Sequence, residues 1–273
     1  IRIQMKLPKV NILIANRNYS EWVCGALQSA CNQTYPNLAI TIVDAASTDD
    51  SWDKIVKFLF KDVPYTIKPL DNGFSFSGVK NCNDIATSVE VTAIKLNHCD
   101  GPSLARNIGI FETHEFSDMY AILDADDEYY PNKVAACVEK MLQSPSIGVV
   151  YTDYDTVDVT TGVKVREYKE PYSKERLLQE CIVHSGALIR KEALIKSQDE
   201  FGFYDEQMRC AEDYELWIRI SEHYLCWHIP ESHSLVRITP KNSTNTVAKE
   251  IWNKNWARIS AKLHARQQRN NIA

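Results

Sequence analysis

Four carboxylates crowd the stretch AILDADDEYY (121–130), where Asp124, Asp126, Asp127 and Glu128 follow an apolar, strand-like run. Neighbouring carboxylates repel one another and cost stability unless a cation or hydrogen-bond donors compensate them. A divalent metal is one compensation, because Mg²⁺ or Mn²⁺ takes oxygen ligands and commonly binds one or two carboxylates together with substrate phosphates. An Asp-rich turn capping the helix that starts near Pro131 is the local alternative. A second acidic element, AEDYELW, puts Glu212 and Asp213 at the start of a predicted helix, where the macrodipole favours their ionised forms. An ionised, positioned carboxylate can take a proton from a hydroxyl nucleophile; ordinary helix-start capping is the competing reading.

These residues need a scaffold, and the hydrophobic periodicity supplies one. VNILIA (10–15) reads as a strand, NRNYS as a turn with Ser20 as helix cap, and EWVCGALQSACNQ as a helix. AITIVD (39–44) and WDKIVKFLF repeat the strand and helix pattern. Two consecutive βα units predict parallel strands in a doubly wound α/β sheet. Beyond them, YTIKPL reads as a strand, NGFSFSG as a polar loop, and VEVTAIKLN as a strand. GPSLARNIGIFETHEF then reads as a helix with Leu104, Ile108 and Phe111 on one face. MYAILDA (119–125) is the next strand, and a helix after Pro131 carries an apolar stripe of Val134, Val138, Met141 and Leu142. The region after residue 146 predicts a hairpin turning near Thr161-Gly162, a short strand and helix in HSGALIRKEAL, a helix from Glu212, a strand SLVRI and a helical tail. In open α/β sheets ligands gather at the carboxyl ends of strands, where both Asp44 and the Asp124–Asp127 cluster fall.

Composition narrows the partners. The 273 residues carry a net charge of −5, which argues against an extended nucleic-acid footprint. No segment approaches the roughly 18 to 20 apolar residues of a membrane span, and the start IRIQMKLPKV does not read as a signal peptide. The eight cysteines show no CxxC pair, which fits reduced thiols in a cytoplasmic protein. Of the sequons at Asn18, Asn32 and Asn242, the first falls in the expected ligand loop, where a glycan would block binding; this also favours the cytoplasm.

Six segments in order, VNILIANRN, ALQSACNQTYPNLAITIVDAASTDDS, GPSLARNIGI, AILDADDEYYPNKV, AEDYELWIRI and PESHSLVRITPKNST, resemble glycosyltransferase family 2, inverting GT-A-type enzymes that use nucleotide sugars. The resemblance implies a Rossmann-like, mostly parallel mixed sheet flanked by helices. It divides the chain into a transferase domain over 1–246, with donor-binding (1–127) and acceptor-binding (128–246) parts, and a basic amphipathic helix over 247–273. It implies that Ala15, Asn16 and Asn18 lie on the first nucleotide loop and that Asp44 lies near the base. Asp124 and Asp126 take the DxD positions, with Asp126 and Asp127 on a Mn²⁺ or Mg²⁺ ion and Asp124 toward the ribose or a metal-bound water. Arg106 frames the donor site, and Asp213 is the catalytic base. The implied donor is a nucleoside-diphosphate sugar, UDP first, with GDP and dTDP as alternatives. The acceptor is a hydroxyl group, on a glycan.

Three positions depart from the family pattern. Ala45 stands where a second Asp is common. The later loop reads Arg237-Ile238-Thr239 rather than Arg-x-His, leaving Arg237 to neutralise phosphate, with His233 as a displaced substitute or a plain surface or core histidine. No QxxRW-like motif is present, which implies single-sugar transfer rather than processive synthesis. On the acceptor side His184, Phe203, Tyr204 and Glu212 are the candidates, with core packing as the alternative for each. In the tail, Trp252, Trp256 and Ile259 beside Lys254, Arg258, Lys262, Arg266 and Arg269 admit two readings, a peripheral helix on an anionic membrane or a cover for the domain's own apolar surface or a partner subunit. A nucleotidyltransferase and a non-catalytic nucleotide- or glycan-binding module are the competing functions. The poor phosphate loop NRNYSEW speaks against the first, and the presence of both Asp126 and Asp213 against the second.

Overall fold

The computed structural model describes residues 7–82 and 87–272. The first six residues, read above for a leader, and the side chain of Arg269 lie outside the described residues. The strands are β1 (Val10–Asn16), β2 (Leu38–Asp44), β3 (Tyr65–Leu70), β4 (Gly73–Cys82), β5 (Thr87–Leu96), β6 (Met119–Asp124), β7 (Glu128–Tyr129), β8 (Ile147–Asp158), β9 (Lys164–Glu167), β10 (Leu188–Arg190) and β11 (Leu225–Ile238). The helices are α1 (Val23–Cys31), α2 (Ser51–Phe60), α3 (Pro102–Thr113), α4 (Lys133–Met141), α5 (Lys174–Leu177), α6 (Lys191–Ser197), α7 (Glu212–Ile220), α8 (Ser243–Thr246) and α9 (Lys249–Ile272).

Among the described residues the strands form one mixed sheet of order β3-β4-β5-β2-β1-β6-β10-β8-β11-β7, with β9 paired to β8. The centre, β5-β2-β1-β6, is parallel, while β10 runs antiparallel between β6 and β8. Both faces of the centre are buried, which is why its strands are nearly continuous apolar runs. Ile12 and Ile14 face the core shared with α1, α2 and α4, and Leu13 faces the core shared with α3, α6 and α7.

Four expectations are corrected by tertiary packing. NGFSFSG is a strand rather than a loop, since Phe74 and Phe76 alternate onto one face and each meets the Trp52 ring at 5.6 Å. The inward face of α3 is Arg106, Asn107, Ile110 and Thr113, whereas Phe111 is 67% exposed. Gly109 sets that rotation: a Cβ there would stand 2.4 Å from the Leu13 Cδ1, so the helix rests directly on β1. Ser20 does not cap α1; its amide donates to Asp49 Oδ2 at 3.1 Å, and the helix begins at Val23 without a side-chain cap. In α4, Val134, Val138 and Met141 are buried as expected, and Leu142 at the helix end is exposed.

Among the described residues no helix is long and apolar enough to cross a membrane. The tail helix packs on the domain, with Ile259 buried in the core. Three of its cations turn inward, while Lys254 is exposed: Arg258 and Lys262 pair with Asp205 at 2.7 and 2.9 Å, Lys262 also with Glu215 at 2.8 Å, and Arg266 with Glu222 at 2.8 Å. All eight cysteines are free thiols.

Candidate active site

The carboxyl ends of β1, β2 and β6 and the start of α7 open onto one cavity of about 630 Å³. It is lined by Ala15, Asn16, Ala45, Arg106, Asp124, Asp126, Glu212 and Asp213, so residues far apart in the chain share one solvent space. Arg106 is the element between the two acidic groups. Its guanidinium donates from Nη2 to Asp124 Oδ1 at 2.8 Å and from Nη1 to Glu212 Oε1, and it lies over the Tyr204 ring at 5.3 Å. Burial opposes its charge, but Asp124 and Glu212 more than offset that and hold it protonated.

The acidic turn is gripped from behind. Asp127, expected beside Asp126 on the ion, is buried and does not line the cavity; it accepts from the Arg237 amide at 2.9 Å, with its carboxyl pushed well up by burial and by Asp126. The Arg237 guanidinium donates to the Asp126 carbonyl at 2.8 Å, pairs with Glu128 and stacks over Trp22 at 4.8 Å. Asp126 instead opens on the cavity. Burial and the Asp124 charge raise its carboxyl to about 6, and Asn242 Nδ2 donates to it at 3.0 Å. Among the described residues this carboxylate has no ion-pair partner, and no three His, Cys, Asp or Glu side chains form a ready-made cation cage. That donor set, two oxygen-bearing side chains facing open space, matches a cation completed by phosphate oxygens rather than an all-protein site.

At the opposite acidic element, burial and the adjacent Glu212 charge push the Asp213 carboxyl up to about 7. Among the described residues it accepts only from the Tyr214 amide, at 2.8 Å, so most of its hydrogen-bonding capacity faces the cavity. The residue before α7, Ala211, is held left-handed at φ 57°, a cost that a non-glycine residue bears where the surrounding structure demands it.

Other expected residues play supporting parts. Asp44 is fully buried and accepts from Asn16 Nδ2 at 2.8 Å and the Ser47 amide at 3.0 Å. Asn18 has φ 60° and accepts from the Thr48 amide at 2.7 Å, tying the β1 loop to the β2 loop. His184 is partly buried against the Tyr154 ring at 4.2 Å, and burial lowers its pKa well below the ordinary value. The cavity is lined by its neighbour Ser185 rather than by His184. Phe203 lines a separate groove beside α3, and Tyr204 is buried beneath Arg106. His233 is buried 3.5 Å from Glu231 and away from the cavity lining.

Sequence reasoning missed the residues that close the cavity. Arg17, Arg209, Lys241 and Asn242 line it, and so do Trp252 and Trp256 of the tail. Lys241 Nζ donates to the Asn18 carbonyl at 3.2 Å, which brings the loop after β11 across to the β1 loop. The i, i+4 spacing of the two tryptophans was legible, but not what they would face.

The sequence profile of glycosyl transferase family 2 matches residues 11–82 and 75–197, more than half of the chain. Chondroitin synthase from Escherichia coli is 26% identical over 80% of this chain and 27% of its own length. A UDP-Glc:alpha-D-GlcNAc-diphosphoundecaprenol beta-1,3-glucosyltransferase, also from Escherichia coli, is 27% identical over 77% of this chain and 69% of its own. An uncharacterized glycosyltransferase of Rickettsia bellii is 25% identical, and the chain spans only 30% of it. Among solved structures, S. aureus TarS 1-349 in complex with UDP-GlcNAc superposes with a TM-score of 0.62 at 14% identity, covering 88% of this chain and 61% of that one. The Pyrobaculum calidifontis mannosyltransferase PcManGT in complex with GDP-Man and Mn²⁺ superposes at 0.59 with 17% identity, over 87% and 59%. The structural likenesses speak for a shared GT-A-type fold, and the profile match for descent: this chain belongs to glycosyl transferase family 2.

Proposed function

We propose that this chain is a metal-dependent inverting glycosyltransferase that moves one sugar from a nucleoside diphosphate to a hydroxyl acceptor on a glycan. One observation carries the reading: a single cavity holds the Asp124–Asp126 turn and Asp213, with Arg106 bridging Asp124 to Glu212 beside Asp213. Two acidic groups in one cavity divide the work of a displacement reaction, one side for the departing diphosphate and the other for the entering hydroxyl.

Asn16, Arg17 and Ala45 would receive the nucleoside, with Asp44 holding Asn16 in place. UDP is the first candidate base; relatives and neighbours are named for UDP-Glc, UDP-GlcNAc and GDP-Man. Asp126, with Asp124 beside it, would hold Mn²⁺ or Mg²⁺, which when bound supplies positive charge to the leaving diphosphate. Asp127 and Arg237 keep the turn in shape. Asp213 would accept the proton of the acceptor hydroxyl as its oxygen forms the new bond to the anomeric carbon. The bond from that carbon to the diphosphate oxygen breaks with its electron pair, and attack from the opposite face inverts the configuration. A carboxyl raised to about 7 is matched to that proton transfer. The inward-facing tail cations support a cover for the domain's own surface over a membrane-lying helix.

The test is a thermal-shift panel of UDP, GDP, dTDP, CDP and ADP, each with Mn²⁺, with Mg²⁺ and with chelator, followed by an assay for nucleoside diphosphate release. A metal-dependent shift with one nucleotide, lost in Asp126→Ala, is expected. No shift with any of the five, or release of pyrophosphate from the donor, overturns the reading.

A further inference from the structure

The tail helix α9 does two different things along its length. From Arg258 onward, its inward residues are anchors: Arg258 and Lys262 reach the fully buried carboxylate of Asp205, and Lys262 reaches Glu215 of α7. At its N-terminal end the same face carries Trp252, Asn255 and Trp256, spaced as residues on one side of a helix. Asn255 is buried and donates to the Cys210 carbonyl at 2.9 Å, two residues before Glu212. That bond fixes the rotation of α9 against the entry to α7. Trp256 meets the Tyr214 ring edge-on at 5.4 Å, and Tyr214 directly follows Asp213. Both tryptophans line the cavity, yet neither is closed into the core: Trp252 is partly buried and Trp256 is 42% exposed.

A rigid helix that leaves two indoles at the wall of a polar cavity, beside a group poised near neutrality, offers an apolar face next to hydrogen-bonding groups. Such sites receive ligands with one apolar and one polar side. A pyranose ring is of that kind, because its axial C–H bonds form an apolar face while its hydroxyls lie around the rim. We infer that Trp252 and Trp256 form a stacking platform for a sugar ring of the acceptor, directing one of its hydroxyls at Asp213. The inference rests on the proposed transferase reading and adds the element that holds the acceptor. The loop between β11 and α9 joins the two ends of the cavity, since Asn242 bonds Asp126 and Val247 leads into the helix. The platform is therefore built by the chain segment that also touches the acidic turn.

The test uses the full chain with the nucleotide and Mn²⁺ chosen by the thermal-shift panel. Saturation-transfer NMR is recorded with the methyl β-glycosides of glucose, galactose, N-acetylglucosamine and N-acetylgalactosamine as probes. Saturation of the axial ring protons of at least one glycoside is expected in the unmodified protein. In Trp256→Ala and Trp252→Ala its affinity should fall about tenfold, the size of one lost aromatic contact. Trp256→Phe should retain most of the affinity, and the nucleotide-induced thermal shift should be the same in all variants, which excludes misfolding. Undiminished glycoside binding in both alanine variants overturns the platform, as does the absence of any glycoside response in the unmodified protein. Loss of the nucleotide shift alone strikes the donor reading and leaves the glycoside result standing on its own.

Discussion

The acidic turn after β6 and the acidic pair at the start of α7 are alike in sequence and opposite in support. At the turn, Arg237 holds Asp127, the Asp126 carbonyl and Glu128, Arg106 holds Asp124, and Asn242 bonds the Asp126 carboxylate. At α7, Arg106 takes Glu212, and among the described residues Asp213 keeps a single backbone donor. The first element is braced for a lasting concentration of charge. The second leaves one carboxyl near the point of titration, at about 7, with room for a proton to come and go. One arginine joins them, so a change at either end is felt at the other.

The sharpest way to break this contrast is Asp213→Asn. It removes the proposed proton acceptor while keeping the shape, and turnover should fall by about 10² to 10⁴, with nucleotide binding unchanged in the thermal-shift assay. Equal turnover would transfer the role of base elsewhere. Arg106→Met tests the link itself: Asp124 and Glu212 would be left uncompensated in a buried site, so urea unfolding should show a loss of about 3 to 5 kcal/mol. Asp126→Ala addresses the braced end. It should abolish the metal-dependent part of nucleotide stabilisation, about 2.7 kcal/mol for ligand at 100 times its Kd, and leave the unliganded protein folded.

Smaller effects follow from titration. An acid that must be ionised to act gives kcat/KM that falls roughly tenfold per pH unit below its pKa, so the acidic limb should turn near pH 7 for Asp213. The same shift has a stability consequence. A carboxyl raised from 3.8 to about 7 in the folded state binds its proton more tightly there than in the unfolded chain. Its contribution is fully present below pH 3.8 and is lost as the pH rises through about 7. Asp213→Asn should therefore raise the Tm by a few degrees at pH 8 and by less at pH 4, measured without ligand.

Much of the scaffold was legible because it rests on local periodicity. The βα units through α2, the hairpin of β8 and β9, and the helix at Glu212 all stand where hydrophobic spacing put them. NGFSFSG reads as a loop in sequence because its serines and glycines mask the alternation of Phe74 and Phe76, whose partner Trp52 lies on another element. The rotation of α3 was misjudged for a similar reason: Phe111 is as apolar as a core residue, but Gly109 seats the helix on its other side. Phe203 and Tyr204 were grouped as acceptor candidates by adjacency, yet one lines a separate groove and the other lies under Arg106.

By itself the sequence determined the βα units through α2, the family and the two acidic groups, because each is written in contiguous residues with short-range physical signals. Only the tertiary structure decided what the charges face. It joined the acidic groups through Arg106, and it turned Arg258 and Lys262 of the tail inward onto Asp205 and Glu215. It also brought Trp252 and Trp256 to the wall of the cavity that holds Asp213. The direction of a side chain depends on packing between elements distant in the chain, and helical or strand periodicity carries no record of which distant surface will meet it.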